Sequence, residues 1–311
     1  MLTGNIFITG GSGFLGRAIV RQSQLNNWPC TITVYSRDAM KHATMSREFP
    51  DVRFVLGDVA DYDSLRKAMI GHDIVIHAAA FKHIPEMEWN VMSGMESNWQ
   101  GSVNVAVAAE HNRVRQVVGI STDKACHPVN AYGASKMLME RVFQEYNRNG
   151  LTQFHLTRYG NVLNSTGSFL VDWKRKAQEK GYIDATDPEM TRFWLSDSQA
   201  VELIDLALGE PAGTITIPLL PSLSMRRMEE YAMPKGTVFK YKGLRPGEKR
   251  HEELLTTEES PFAREHLHSN GLRYYRLAPV WGTPIDDFLH HYSSDIAREL
   301  TLPEFKRIVG E

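Results

Sequence analysis

Short apolar runs, separated by longer amphipathic segments, set the rhythm of roughly the first 160 residues. Each run is five or six residues long and rich in Ile, Val and Phe, which predicts buried strands. The segments between them repeat apolar positions at helical spacing. Strand and helix therefore alternate, as they do around a parallel, doubly wound sheet. The predicted strands are Asn5–Thr9, Thr31–Tyr35, Val52–Leu56, Asp73–His77, Gln116–Ile120 and Phe154–Tyr159.

A glycine pattern follows the first strand directly. Gly10, Gly13 and Gly16 lie at three-residue spacing between that strand and the start of a helix. Glycines at these positions allow a tight turn and let the backbone approach a pyrophosphate, which the N–H groups of the helix N-terminus then bind. In this context the pattern indicates a dinucleotide site and a Rossmann-type α/β domain.

The end of the second strand selects between two nicotinamide cofactors. An acid at this point usually holds the ribose hydroxyls of NAD, but here the chain continues with Ser36-Arg37-Asp38. Arginine can grip a 2′-phosphate with two hydrogen bonds, which favours NADP. The alternative is that Asp38 does the work of the usual acid slightly late. Further along, Asp58 is placed to accept from the adenine amino group, and the small side chains of 78–80 let the cofactor cross the end of the fourth strand.

The rhythm breaks after residue 163, where elements become shorter and loops more frequent. We predict an NADP-binding Rossmann domain of residues 1–163 plus about 194–220, and a smaller C-terminal substrate domain of 164–193 plus about 221–311. Within the first domain, one long helix is expected to run from after His83 to about Asn112.

A second chemical cluster lies at the end of the fifth strand. Thr122, Asp123 and Lys124 leave its carboxyl end, where open α/β sheets bind their ligands. Tyr132 and Lys136 follow on one face of the next helix. A neighbouring ammonium stabilises a phenolate, so Lys136 is expected to lower the pKa of Tyr132. The Thr122 hydroxyl can polarise a substrate hydroxyl. An ordinary surface helix shows the same Tyr–Lys spacing, so this pair alone decides nothing.

Composition excludes several classes of protein. The chain has 311 residues and a net charge of −2, so no basic field points to nucleic acid. Two cysteines cannot form a disulfide framework, and Cys126 is expected to be a neutral core residue. No apolar run reaches about 18 residues, which predicts no membrane span. The first strand begins by Asn5 and leaves no room for a signal peptide, so a cytoplasmic protein is expected. No residues show metal-ligand spacing, and no metal is predicted.

Several runs resemble one superfamily. Thr9–Gly16 together with Tyr132 and Lys136 is similar to the extended short-chain dehydrogenases/reductases. More narrowly, the chain resembles the inverting UDP-N-acetylglucosamine 4,6-dehydratases of pseudaminic acid and capsule pathways, from residue 5 to about 260. Thr122-Asp123-Lys124 is the most specific match, because retaining dehydratases carry Asp-Glu at the last two positions. The shared runs are Tyr35–Asp38, Ala78–Pro85, Ser121–Ala125, Arg158–Val162, Met190–Trp194 and Gly243–Lys249.

The resemblance implies a 4,6-dehydratase that inverts carbon 5. It would convert UDP-N-acetylglucosamine to a UDP-4-keto-6-deoxy-hexosamine through transient oxidation by NADP. Tyr132, with Thr122, would take the proton of the carbon 4 hydroxyl. Lys124 would remove the carbon 5 proton, which requires a lowered pKa; burial and the nearby Lys136 are expected to provide it. Asp123 would protonate the hydroxyl that leaves carbon 6.

Binding residues and assembly are implied in the same way. The substrate residues would be Lys82, Asn161, Arg245 and Glu248, although by spacing alone Arg245–Lys249 is an exposed charged turn. A homo-oligomer, dimer or hexamer, is implied. The expected cofactor contacts are Gly10, Gly13, Phe14, Leu15, Gly16, Ser36, Arg37, Asp58, Val59, Ala78, Ala79, Ala80, Tyr132 and Lys136.

Three other functions share much of this pattern. A sugar-nucleotide 4-epimerase needs Tyr132 and Lys136 but no dehydrating acid, so Asp123 and Lys124 argue against it. A dehydratase that releases a 5,6-ene differs only in whether hydride returns to carbon 6. A catalytically inactive NADP-sensing protein would have no need of Thr122, Tyr132 and Lys136 together.

Overall fold

The computed structural model describes residues 1–163, 169–279, 283–284 and 291–309. The strands are β1 Gly4–Thr9, β2 Cys30–Ser36, β3 Arg53–Leu56, β4 Ile74–His77, β5 Gln116–Thr122, β6 Gln153–Tyr159, β7 Asn161–Val162, β8 Ile183–Ala185, β9 Thr191–Leu195, β10 Ile215–Pro218, β11 Ser222–Ser224, β12 Phe239–Tyr241, β13 Glu253–Leu255, β14 Ala263–Leu267, β15 Arg273–Leu277 and β16 Tyr292–Ser293. The α-helices are α1 Phe14–Leu25, α2 Ala39–Glu48, α3 Tyr62–Ala68, α4 Ile84–Trp89, α5 Val91–Met95, α6 Gly101–His111, α7 Ala131–Asn149, α8 Phe169–Lys180, α9 Asp197–Gly209, α10 Met225–Ala232 and α11 Leu302–Val309.

One large sheet organises the described chain. Its nine strands follow the order β14-β15-β10-β6-β5-β4-β1-β2-β3. The strands from β10 to β3 pair in parallel, and β14 and β15 are antiparallel at one edge. The order around β1 reverses between β2 and β4, which confirms the predicted Rossmann-type sheet and places a ligand crevice at this reversal.

Apolar side chains fill both faces of the sheet. On β1, Phe7 packs in the cluster with Phe143 and Phe154, whereas Ile6 and Ile8 pack in the cluster on the opposite face. Successive strand residues point to opposite faces, so a strand covered on both sides must be apolar at every position. This is why the parallel strands appear in the sequence as continuous apolar runs.

The C-terminal region is built from smaller pieces. Two short sheets, β11-β9-β7 and β12-β8, contribute to a separate apolar cluster that includes Trp173, Trp194 and Phe305. A third, β13-β16, packs with the main core through Leu254 and Leu255. The prediction placed residues from about 221 to 311 in a separate substrate domain. For β14 and β15 the prediction is wrong, because both strands extend the main sheet. Tyr274 and Leu277 of β15 are buried in the main core, which accounts for the pairing. The rest of the two-domain division stays a prediction.

The long helix predicted before Asn112 is broken. The structure has α4 and α5, then a π-helical turn at Glu96–Gln100, then α6. The buried side chain of Asn98 lies in the π turn and hydrogen-bonds both backbone groups of Phe81. Single π turns of this kind often accompany functional sites. None of the helices in the described ranges is long and apolar enough to cross a bilayer.

A buried ion cluster joins the C-terminal region to the sheet. Arg158 of β6 is 1% exposed, and its guanidinium contacts Glu140 of α7 and Glu259, each at 2.7 Å. It also donates to Cys126 Sγ at 3.0 Å. Burial raises the pKa of the Cys126 thiol, which confirms Cys126 as a neutral core residue. The cluster therefore fixes α7 and the loop before it.

Arg158→Met should destabilise the protein strongly. The variant leaves Glu140 and Glu259 buried without their common partner, so the free energy of unfolding should fall by about 3–5 kcal/mol in urea titrations followed by circular dichroism. Arg264→Met, at an exposed position of β14, is the control and should change it by less than about 0.5 kcal/mol. Equal stability of the two variants would show that the Arg158 cluster does not hold the fold.

Candidate active site

A large cavity opens at the carboxyl ends of β1, β2, β4 and β5. Its volume is about 900 Å³. It lies where the strand order reverses, as expected for an open α/β sheet. All the predicted cofactor contacts line it except Gly16, which lies just behind in α1.

The glycine loop leaves no room for side chains. Gly10 has φ +66°, and a Cβ there would lie 2.7 Å from the backbone of Ala79. A Cβ at Gly16 would lie 2.1 Å from the carbonyl oxygen of Gly11, so glycine is needed for α1 to pack on the loop. Helix α1 begins after Gly13, and no side chain caps its N-terminus. The N–H groups of its first turn are therefore left for a ligand in the cavity, which Phe14 and Leu15 line. These residues fit the pyrophosphate of a nicotinamide dinucleotide.

The end of β2 carries hydroxyl and cationic groups. The Ser36 hydroxyl lies 2.7 Å from Ser12 Oγ and 2.5 Å from His42 Nε2. Arg37 lies 3.4 Å from Asp58, with a side chain that is 60% exposed. The carboxylate of Asp38 caps α2 by accepting from the Lys41 N–H at 3.0 Å. A capping role accounts for Asp38 without a ribose contact.

Asn98 braces the cavity wall beyond β4. Its Oδ1 accepts from Phe81 N at 2.6 Å, and its Nδ2 donates to Phe81 O at 3.0 Å and to Ser135 Oγ at 2.9 Å. Ser135 lies in α7 between Tyr132 and Lys136. One buried amide therefore links the 78–83 segment to the helix that carries the predicted catalytic pair.

Helix α7 presents Tyr132 and Lys136 to the cavity, as predicted. Asn130 caps the helix by accepting from Gly133 N at 2.7 Å. The predicted lowering of the Tyr132 pKa is wrong for this structure: burial raises it to about 12, against the opposing effects of Lys124 and the Thr122 hydroxyl. Burial lowers the pKa of Lys136 to about 8, and its Nζ lies 3.0 Å from Met139 Sδ.

Asp123 and Lys124 form a short 3₁₀ turn directly after β5. The Asp123 Oδ1 accepts from the Thr122 hydroxyl at 2.9 Å and from Lys124 Nζ at 3.0 Å. Asp123 is fully buried and lies behind the cavity wall, whereas Thr122 and Lys124 line it. Burial raises the pKa of Asp123 above its usual value, against the opposing charge of Lys124.

The predicted lowering of the Lys124 pKa is also wrong. Burial does lower it, but the carboxylates of Asp123 and Glu252 outweigh burial and raise the pKa above its usual value. The largest charge effects on the Lys124 pKa come from Asp123, Glu252 and Arg192, and not from Lys136 as expected. Glu252 lies 3.3 Å from Lys124 Nζ and had no signal in the sequence, because nothing local marks a carboxylate that pairs with a residue so far away.

The predicted substrate residues separate into two places. Lys82 and Asn161 line the cavity. Arg245 and Glu248 do not: they pair with each other across a turn in which Gly247 has φ +79°. Asn130 Nδ2 donates to Gly247 O at 2.8 Å, so the turn is docked on the N-cap of α7.

A Rossmann-type sheet, a glycine loop at its reversal and a Tyr-x-x-x-Lys pair on α7 define an extended short-chain dehydrogenase/reductase. The chain belongs to the family of polysaccharide biosynthesis proteins, whose model matches residues 6–271. Among the described residues, no three His, Cys, Asp or Glu side chains lie close enough together to hold a metal ion.

Known proteins resemble the chain over most of its length. UDP-N-acetylglucosamine 4,6-dehydratase (inverting) of Campylobacter jejuni is 38% identical over 88% of this chain and 83% of its own. UDP-glucose 4-epimerase of Rickettsia felis is 33% identical over 98% of this chain and 94% of its own. The solved structure of Pen from Bacillus thuringiensis covers 98% of this chain and 97% of its own, with a TM-score of 0.88 and 30% identity. DesIV of Streptomyces venezuelae, with a TM-score of 0.69 and 22% identity over 79% of this chain and 86% of its own, shares the fold.

Proposed function

We propose that the protein is a UDP-N-acetylglucosamine 4,6-dehydratase that inverts carbon 5. The observation that carries the proposal is the Asp123–Lys124 pair, 3.0 Å apart, in which Lys124 lines the cavity together with Tyr132. Oxidation and reduction at carbon 4 need only Tyr132 and Lys136. An additional acid–base pair has a purpose if water is removed. The similarity to the Campylobacter jejuni dehydratase supports the same choice.

The proposed cofactor is NADP. It would take the hydride from carbon 4 and return it to carbon 6. Three cationic side chains, Arg17, Arg37 and Lys41, line the cavity near Ser36 and suit a 2′-phosphate. All three are paired with a carboxylate: Arg17 with Glu48, Lys41 with Asp38 at 3.1 Å and Arg37 with Asp58 at 3.4 Å. The Arg37 contact is the longest and its side chain is 60% exposed, so Arg37 is the cation most available to a phosphate.

Tyr132 serves the oxidation. Its phenolate would take the proton of the carbon 4 hydroxyl while Thr122 polarises that hydroxyl. The raised pKa of Tyr132 makes the neutral phenol its resting form, so phenolate formation depends on a cation close to the ring. Lys136, one turn later, and the cationic nicotinamide ring of NADP would both supply positive charge.

Asp123 and Lys124 serve the elimination. Transfer of a proton from the Lys124 ammonium to the Asp123 carboxylate gives a neutral amine and a neutral acid, and the burial of both groups lowers the cost of this transfer. The amine then accepts the carbon 5 proton, made acidic by the ketone at carbon 4. The acid's proton leaves with the carbon 6 hydroxyl as water, and it reaches the cavity through Thr122 or Lys124, which line it.

Further features belong to this proposal. The enzyme would be a hydro-lyase that takes a UDP-sugar, binds it through Lys82 and Asn161, and delivers a proton to the opposite face of carbon 5. Arg245 and Glu248 would reach the diphosphate and ribose only if their turn moved toward the cavity. Action in the cytoplasm as a homo-oligomer rests on the family resemblance.

Replacing Arg37 should discriminate between the cofactors. In calorimetry, Arg37→Ala should weaken NADP binding by about 1.5–3 kcal/mol, the worth of a charged hydrogen-bonded contact, and leave NAD binding nearly unchanged. Arg53→Ala, at an exposed position of β3 outside the cavity, is the matched control. Equal weakening of NADP and NAD by Arg37→Ala would show that Arg37 does not read the 2′-phosphate.

Variants of Tyr132 and Lys124 should stop the reaction at different stages. Tyr132→Phe should give no NADPH absorbance on mixing with UDP-N-acetylglucosamine, because carbon 4 is not oxidised. Lys124→Ala should still form NADPH, since Tyr132 and Lys136 remain, but should incorporate little deuterium at carbon 5. Each should lower turnover on the order of 10²-fold or more.

Two results would refute this assignment. Wild-type deuterium incorporation by Lys124→Ala would exclude Lys124 as the base. Formation of an isobaric product by the wild type, with no loss of water, would instead identify an epimerase, the activity named for the Rickettsia felis relative.

A further inference from the structure

Glu252 supplies a second carboxylate to the cavity-lining lysine. It is 3% exposed, and its Oε1 lies 3.3 Å from Lys124 Nζ and 3.7 Å from Arg192 Nε. Its other oxygen, Oε2, is buried and has no hydrogen-bond partner among the described residues. Burying a carboxylate oxygen without a hydrogen bond destabilises the fold, which points to a function of Glu252 in its contact with Lys124.

The backbone of Glu252 is held on both sides. Its N–H donates to Ser294 Oγ at 2.9 Å, and its carbonyl accepts from Ser294 N at 2.8 Å. Ser294 Oγ lies 2.6 Å from Thr191 Oγ1 on β9, next to Arg192. The carboxylate therefore approaches Lys124 from a fixed point in the C-terminal region.

The charges around Lys124 come from several elements. Asp123 adjoins it in the 3₁₀ turn, Glu252 precedes β13, Arg192 lies on β9 and Tyr132 lies on α7. The charge of Lys249 also lowers the pKa of Glu252. Arg192 opposes the two carboxylates, and their combined effect keeps Lys124 charged in the resting protein.

We propose that Glu252 is a positioning residue that holds Lys124 Nζ at the cavity and sets the pH at which this lysine becomes a base. The inference rests on the proposed dehydratase function, in which Lys124 removes the carbon 5 proton. Glu252 itself does not line the cavity, so it acts through Lys124 and does not touch the sugar.

The sign of the effect follows from the charge. The Glu252 carboxylate stabilises the protonated forms of the Asp123–Lys124 pair and raises the pKa of Lys124. It therefore moves to higher pH the proton loss after which the pair, sharing one proton, can form the neutral amine. Glu252→Gln removes that charge but keeps the shape. The carbon 5 proton should then exchange at lower pH, with a lower maximal rate, because a less basic amine is a weaker base.

The test is the pH profile of deuterium incorporation at carbon 5, measured with NADP, UDP-N-acetylglucosamine and buffers in D₂O. In Glu252→Gln the rising limb of the profile should move to lower pH by about 1–3 units, while NADPH formation on mixing stays near the wild-type rate. Glu253→Gln is the matched control: this neighbour contacts His127 and should leave the limb in place. Glu252→Asp, with the charge one methylene further away, should shift the limb less in the same direction.

The outcomes separate the two proposals. An unshifted limb in folded Glu252→Gln would overturn the inference, since a merely structural role lowers rates without moving the limb. If that variant does not fold, an unshifted limb in Glu252→Asp would overturn it equally. No deuterium incorporation by the wild type would refute the dehydratase proposal, and the inference with it.

Discussion

The ammonium group of Lys124, buried between the carboxylates of Asp123 and Glu252, is the contact on which the site depends. Buried charges are tolerated only when they are paired closely. Pairing at 3.0 and 3.3 Å therefore fixes the short turn after β5 against the C-terminal region. The same pairing places an acid and a potential base beside Tyr132. The residues proposed for the elimination and the attachment of the C-terminal region thus depend on the same set of charges.

A second set of contacts secures the same junction. Arg158 binds Glu259 from within the sheet, and the ring nitrogens of His127 lie 2.7 Å from Glu253 and 3.1 Å from Glu258. Four carboxylates of the segment 252–259 therefore contact cationic or imidazole side chains that lie just after β5 or on the neighbouring strand β6. Because α7 follows that segment directly, the position of Tyr132 also depends on this junction. The C-terminal region accordingly helps to hold residues that line the cavity.

The sequence predicts well those features that depend on local pattern. The parallel strands, the glycine loop and the pair Tyr132–Lys136 follow from periodicity and spacing, and the structure has all three. The sequence is a poor guide to features that depend on contacts between distant segments. The direction of the Lys124 pKa was misjudged because Glu252 comes from a distant segment. The π turn has no local sequence signal, because Asn98 stabilises it through hydrogen bonds to Phe81. The strand β15 is missed because its partner β10 is separated from it by an irregular part of the chain.

The central claim is that this site removes water, and the mass of the sugar-nucleotide product tests it most directly. Purified protein, incubated with NADP and UDP-N-acetylglucosamine in D₂O, should give a product that has lost one water and carries one deuterium at carbon 5, with the inverted configuration. A product of unchanged composition, epimerised at carbon 4 and free of deuterium at carbon 5, would contradict the account.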